Sequence, residues 1–289
     1  MTNITGETKS KWQWTRGKII ALALFSAALL LAIYALLIEP NRLIVHSETI
    51  TLTSWPPELR GMKIAAISDI HAGAPHVKLD KIRHLVELTN AQQPDLVLLP
   101  GDFVIQDVLG GGFIEPTALA AELKGLKASL GVFATLGNHD WWYNAPRVKS
   151  VFEEAGIKVL ENQTVKIERN GKAFWLAGFA DEWEGNPNIA ETLRQVADDS
   201  PIIAFTHNPD LFPTIPNRVA LTVAGHTHGG QVALPLVGRL VVPSRFKQRY
   251  AAGLVIENGK QLFVTTGVGT SIIPVRFGVP PEIALLTIQ

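Results

Sequence analysis

Polar and apolar positions divide the chain near residue 39. Residues 1–18 are polar and carry Lys9, Lys11, Arg16 and Lys18. Ile19 to Ile38 is apolar, interrupted only by Ser26 and Tyr34. Twenty helical residues at about 1.5 Å each reach roughly 30 Å, the thickness of a bilayer core. No polar stripe marks one face, as it would on a helix packed against a soluble core. The pattern predicts a membrane-spanning helix over 19–38. Its competitor is a cleaved signal peptide, but the run exceeds a usual apolar region of that kind and no clean small-x-small site follows it before Glu39-Pro40. The cations lie before the run and Glu39 directly after it, which puts 1–18 in the cytoplasm and the rest outside. No Arg-Arg pair precedes the run, as a twin-arginine signal would require.

After the anchor, 39–60 reads as a short linker and a first strand, Leu43–Leu52. So short a linker keeps the rest of the chain near the lipid surface. Residues 61–289 read as one domain in which strand and helix signals alternate. Strands are predicted at Lys63–Ser68, Asp95–Leu99, Val132–Leu136, 157–160, 163–169, 173–179, 202–206 and 220–224. Asn170-Gly171 marks a hairpin turn between two of them. Helices are predicted at Leu79–Asn90, Ala118–Leu130, Ala145–Ala155 and Ile189–Asp198. The end of the chain is β-rich, around 231–234, 249–257, 261–266 and 283–288. The sum is an α/β fold, a pair of mixed sheets with helices outside.

Composition narrows the chemistry. The 26 Lys and Arg residues balance 26 Asp and Glu, so no bulk field draws in nucleic acid. The absence of cysteine removes disulfides, thiolate ligands and cysteine nucleophiles. Any metal must be held by oxygen and imidazole nitrogen, a donor set that suits Mn, Fe, Zn or Ni.

Five short segments each follow a predicted strand: Ser68-Asp69-Ile70-His71, Gly101-Asp102, Gly137-Asn138-His139-Asp140, Thr206-His207-Asn208 and Gly225-His226-Thr227-His228-Gly229. Loops at the carboxyl ends of strands meet at one crevice in α/β folds. An Asp-x-His or Gly-Asp alone is ordinary turn chemistry. Gly-His-Thr-His-Gly is far more specific, because histidines two apart point to one side of an extended segment. Five of the eight histidines fall in these segments. A carboxylate among them can bridge two metals, which together clamp the attacking and leaving oxygens of a displacement at phosphorus and turn a bound water into a hydroxide nucleophile.

The ordered set DxH, GD, GNHD, a lone H and GHTH resembles the calcineurin-like metallophosphoesterase superfamily. Thr266–Thr270, Pro274-Val275-Arg276 and Pro280-Pro281-Glu282 resemble the C-terminal part of its membrane-anchored bacterial branch. The resemblance implies a four-layer α/β/β/α sandwich and two divalent metal ions. It implies Asp69, His71 and His228 on the first metal, Asn138, His207 and His226 on the second, and Asp102 as the bridge. His139 would stabilise the phosphoryl group or protonate the leaving oxygen, with Asp140 orienting its ring. The implied activity is hydrolysis of a phosphodiester, phosphomonoester or pyrophosphate bond. The substrate would be a phosphorylated small molecule or a lipid-linked one, UDP-2,3-diacylglucosamine in one subgroup. That nucleotide sugar is expected in the cytoplasm, whereas the charge bias sends this domain outward from a single-pass bacterial inner-membrane anchor. A non-catalytic anchored metal-binding module is the alternative of a different class; no obligate protein partner is predicted.

Weaker candidates complete the reading. His84 reads as a surface residue, and His46 matches no motif. His76 lies close enough to the first motif to touch substrate. Trp141, Trp142 and Tyr143, with Phe113, are either core packing or an apolar wall beside the site. Arg239, Arg245, Lys247 and Arg249 are a solvated face or a contact for anionic headgroups. Arg276 is a candidate phosphate clamp.

Overall fold

A computed structural model describes residues 15–106 and 108–289. Arg16–Asn41 is one helical stretch of 26 residues, long and apolar enough to cross a membrane by length and composition, a test that a signal sequence also meets. It comprises α1 (Arg16–Ile33), a π-helical turn over Tyr34–Ile38 and a 3-10 turn over Glu39–Asn41. None of the α1 side chains is buried.

The described residues then form two six-stranded sheets. The strands are β1 (Ile44–Ile50), β2 (Met62–Ala66), β3 (Leu96–Pro100), β4 (Val132–Thr135), β5 (Lys158–Val159), β6 (Gln163–Arg169), β7 (Lys172–Gly178), β8 (Ile202–Phe205), β9 (Val219–Ala224), β10 (Ala233–Leu234), β11 (Gly238–Arg239), β12 (Gly253–Glu257), β13 (Lys260–Val264) and β14 (Glu282–Ile288). The first sheet has the order β1-β14-β2-β3-β4-β5 and the second β12-β13-β9-β8-β7-β6; β10 and β11 make a separate two-stranded ribbon. β1 pairs with β14 along its whole length, so the strand before residue 61 is the edge of the first sheet.

Alternation along each strand builds the layers. Ile64, Ala66, Leu96 and Leu98 face an inter-sheet core shared with Phe174, Leu176, Ile203, Phe205, Leu221, Val223 and Phe263. Their neighbours Ala65, Ile67, Val97 and Leu99 face the other way. There they pack under α2 (Leu79–Ala91), α3 (Pro116–Leu123) and α4 (Asn138–Glu154). On the far side, Ala177, Ile202 and Ala204 pack under α5 (Ile189–Arg194) and the 3-10 segment Pro209–Thr214. The four layers are therefore helices, sheet, sheet and a thinner helical layer.

Two helices are shorter than the pattern suggests and one is longer. α3 ends at Leu123 because Gly125 follows; α5 ends at Arg194, ahead of the Asp-Asp-Ser stretch at 198–200. α4 starts at Asn138, inside the third motif, and bends at Asn144, ahead of Pro146.

Candidate metal centre

Strands β2, β3 and β4 run parallel in the first sheet, and β7, β8, β9 and β13 in the second. Their carboxyl ends meet, so all five motif loops fall on one crevice. The Ser68 hydroxyl donates to the Pro100 carbonyl at 3.1 Å. Backbone bonds from Asp69 to Gly101, His71 to Asp102 and Ala72 to Phe103 then carry the β2–β3 pairing on past the strands.

The side chains form two groups that share one atom. In the first, His71 Nε2 lies 3.0 Å from His228 Nε2 and 3.5 Å from Asp102 Oδ2, and His228 Nε2 lies 3.4 Å from Asp69 Oδ1. In the second, His207 Nε2 lies 3.3 Å from Asp102 Oδ2, 3.2 Å from Asn138 Oδ1 and 3.0 Å from His226 Nδ1. Asp102 Oδ2 belongs to both, while its Oδ1 accepts the His139 amide at 2.9 Å. All seven residues are buried.

These groups fit divalent cations. Donors bound at about 2.1 Å to one ion stand roughly 3.0–3.4 Å apart in octahedral or tetrahedral arrangement. The distances above match that spacing. Two imidazole nitrogens facing each other at 3.0 Å share at most one proton between them, and a cation satisfies both lone pairs. The His207 Nδ1 atom sits 2.7 Å from the Pro100 carbonyl, an arrangement that turns Nε2 toward the group.

The charge states of three of the histidines favour the same use. Burial holds His71 and His226 down at about 3 and His228 well below the usual histidine value, so all three are neutral donors at neutral pH. Burial raises Asp69 to about 6. Burial would also raise Asp102 and depress His207, but their mutual contact wins: Asp102 stays well below the carboxylate range and His207 well above the histidine range.

The structure corrects one role. Asp140 does not orient the His139 ring. Its two oxygens accept the backbone N–H groups of Asp102 (2.9 Å), Phe103 (2.9 Å), Val104 (3.2 Å) and Gly137 (2.9 Å). Asp140 is the third residue of α4, where a capping carboxylate turns back toward the helix start, and it ties the Asp102 loop to that start. Burial and the Asp102 charge lift its pKa to about 7, against the pull of these amides. His139, half-buried, stands with its ring 4.9 Å from that of His71 and 4.6 Å from that of Trp142. Burial lowers its pKa.

Arg276 is a second correction. It is wholly buried and touches no open site. Its guanidinium donates to the carbonyls of Thr266, Gly267, Gly269 and Val279. It thereby fixes a sixth loop, 265–270, that the motifs did not include. Gly267 and Gly269 of that loop lie against Asp69 and His71: a Cβ on either would come 2.7 Å from the Cβ of that neighbour. On the other side, the buried Glu39 carboxylate accepts the amides of Gly278 (2.9 Å) and Val279 (2.7 Å).

The remaining candidates sort by contact. His76 meets Asn41 at 3.3 Å rather than the crevice, His46 pairs with Glu282 at 3.0 Å, and His84 is exposed on α2. Arg239 donates to the Gly229 carbonyl; Arg245 pairs with Glu182 and Asp210, and Arg249 with Glu257, so these three cations are engaged within the fold. Trp141 packs in the helix-side core, and the Phe113 ring lies tilted against that of Tyr143, with centroids 5.0 Å apart. Trp142 does form a wall of a cavity of about 570 Å³ that opens from Asp102, Asn138 and His139. The other walls were not foreseen: Trp183, whose ring stands 4.4 Å from that of His226, and Leu240, Val241, Ile272 and Ile273. No motif marks them, since they are single or paired apolar residues in loops.

A family model described as calcineurin-like phosphoesterase matches residues 62–230. An uncharacterized metallophosphoesterase of Bacillus subtilis, YkuE, is 29% identical over 260 residues, covering 89% of each chain. Phosphodiesterase YaeI of Escherichia coli is 33% identical over 231 residues, covering 78% of this chain and 81% of its own. A Danio rerio protein named for a transmembrane segment with a metallophosphoesterase domain is 28% identical over 286 residues, 93% of this chain and 62% of its own.

Proposed function

The chain belongs to the calcineurin-like phosphoesterase family and is a metal-dependent phosphoric ester hydrolase; from that premise we propose that it is a membrane-anchored, two-metal phosphodiesterase acting on an amphiphilic substrate. One observation carries the two-metal reading: Asp102 Oδ2 stands at 3.5 Å from His71 Nε2 and 3.3 Å from His207 Nε2, common to both donor groups. Asp69, His71 and His228 would hold one divalent cation and Asn138, His207 and His226 the other, with Asp102 shared between them. Such a pair supplies charge neutralisation for a phosphoryl group and an activated water.

The protein's own residues do the rest. Asp102 Oδ1 accepts the His139 amide, so the shared carboxylate and the start of α4 are tied into one unit. His139 stands at the cavity side of this unit and serves as the proton donor to the leaving oxygen, a contribution of typically 10²–10⁴ in rate. Trp142 and Trp183 flank the centre, and their apolar faces suit a substrate whose phosphoester carries hydrocarbon. The relative named as a phosphodiesterase favours a diester over a monoester. The helical stretch Arg16–Asn41 anchors the domain, facing away from the cytoplasm by the charge rule.

The deciding experiment replaces Asp102→Asn in the full chain. The expected result is loss of one metal equivalent by elemental analysis and a fall of at least about 10³ in turnover of a chromogenic diester, with unchanged circular dichroism. Two retained equivalents with wild-type turnover would sink the bridge.

A further inference from the structure

Two loops beside the cavity expose apolar side chains that none of the described residues covers. Leu236 and Val237 cap the β10–β11 ribbon, and Leu240 and Val241 follow it; Leu236 is wholly exposed and Val241 74% exposed. Facing them, Ile272 is 81% and Ile273 49% exposed. Isolated exposed leucines are ordinary, but a cluster of this kind on one rim marks a contact surface.

The loops are tied to each other and to the end of the anchor. The Gln231 side chain accepts the Ser271 amide at 2.6 Å and donates to the Ile273 carbonyl at 3.2 Å. The Ala233 amide bonds the Phe277 carbonyl at 2.7 Å. Phe277 meets the Tyr34 ring edge-on, with centroids 6.1 Å apart. The Arg276 amide donates to the Ala35 carbonyl at 3.0 Å, and Glu39 accepts from Gly278 and Val279. The exit of the apolar helix is therefore docked on the segment 276–279, next to the exposed loops, and is no free tether. Leu36, Leu37 and Ile38 on that exit are themselves exposed.

We propose that Leu236, Val237, Leu240, Val241, Ile272 and Ile273 form a second membrane-contacting surface, seated in the headgroup layer of the bilayer that α1 crosses. The inference rests on the anchoring proposed above. Because Glu39 and Ala35 fix the helix exit to the domain, the bilayer surface lies beside these loops whenever the helix is inserted. Burial in the headgroup and acyl boundary, roughly 5–10 Å deep for interfacial elements, removes their apolar area from water. Leu240, Val241, Ile272 and Ile273 also line the cavity, so its mouth then opens at the lipid surface. A phosphoester in a lipid headgroup reaches the metal centre without leaving the bilayer.

The chain has no cysteine, so single-cysteine labelling reports each position cleanly. The full chain is reconstituted in vesicles of phosphatidylethanolamine and phosphatidylglycerol. A polarity-sensitive dye is placed at Leu240→Cys, Ile272→Cys, Leu30→Cys in α1, or Ile256→Cys, exposed toward the end of β12 remote from the site. Dyes at 240 and 272 should shift to the blue and be quenched by lipids brominated high on the acyl chain; the dye at 30 should respond to deep bromines, and that at 256 to neither. If 240 and 272 behave like 256 while 30 is quenched, the second surface is overturned and the anchor stands. If 30 is also unquenched, the anchoring reading falls and the surface with it. A blue shift at 240 and 272 that ignores brominated lipid and grows with protein density would assign the patch to a second copy of the chain and overturn the proposal.

Discussion

Arg276→Met removes a buried cation while keeping much of its apolar volume. In the native protein, the guanidinium satisfies carbonyls at Thr266, Gly267, Gly269 and Val279. Gly267 keeps another donor, the Glu282 amide, so three carbonyls are left without a partner. At about 2 kcal/mol for each buried orphan, the loss is roughly 6 kcal/mol. Burial pulls the guanidinium pKa down to about 10. Holding the charge there therefore costs about 3 kcal/mol, which the substitution returns. The net destabilisation is about 3 kcal/mol, or roughly 6–12 °C in Tm for a domain of this size. Because the loop it holds lies on Asp69 and His71, metal affinity should fall with stability. The assay is a thermal melt of the full chain in detergent, paired with calorimetric titration of manganese. A Tm within about 1 °C of wild type would refute the strut. A raised KM alone would restore Arg276 as a phosphate clamp.

Three further outcomes rest on the contacts. Asp140→Asn places an amide NH₂ among four backbone N–H donors, so it should cost about 2–3 kcal/mol and weaken metal binding; the pH profile of turnover should keep its shape, whereas a shifted profile would mean that Asp140 acts through the His139 ring. Gly225→Ala sets a Cβ on Ser68 Oγ and 2.5 Å from Asp69 Oδ2, and should yield a protein depleted of metal by elemental analysis; a fully loaded variant would show that the loops can separate. The His46 pKa is raised and that of Glu282 lowered by their hydrogen bond, although burial opposes both shifts. The histidine's contribution to stability is complete below about pH 6.5 and fades as pH rises through its folded value, while the carboxylate's is complete above about pH 4.5 and fades on acidification through its lower folded value. Relative to His46→Gln, wild-type Tm should therefore fall as pH rises from about 6.5 through the raised folded value of His46; parallel curves would show that the pair adds nothing.

The motifs were legible in the sequence because ligand chemistry needs particular side chains at strand ends, and those ends are marked by apolar runs stopping at Ser68, Gly101, Gly137, Thr206 and Gly225. The layer order was legible too, since Leu96–Pro100 is buried on both faces and reads as a continuous apolar run, and Met62–Ala66 is interrupted only by Lys63. What escaped is recognition through backbone. Arg276 spends its donors on carbonyls and Asp140 its oxygens on amides, and neither partner leaves any trace in residue identity. The cavity walls escaped for a related reason: Trp183, Leu240 and Ile272 come from loops far apart in the chain, with no period to join them.

Those hidden backbone contacts explain how the centre holds its shape. Asp69, His71, Asp102, His226 and His228 all have φ between 47° and 70°, the left-handed region that side-chain-bearing residues avoid. Each such residue costs on the order of 1 kcal/mol or more, so five together strain the site by several kcal/mol. The strain persists because the surroundings leave no alternative. Asp140 bonds the amides of residues 102–104, Asp69 accepts the His226 amide at 3.0 Å, and the Arg276-bound loop presses Gly267 and Gly269 on the first motif. The scaffold itself thus aims the donors, as a precise metal site requires of the residues around it. The same bonds run on from Arg276 through Val279 to Glu39, at the exit of the apolar helix. The helix exit is in this sense part of the metal centre's scaffold, and a chain cut just after Glu39 would lose a support of the loop on which Asp69 and His71 rest.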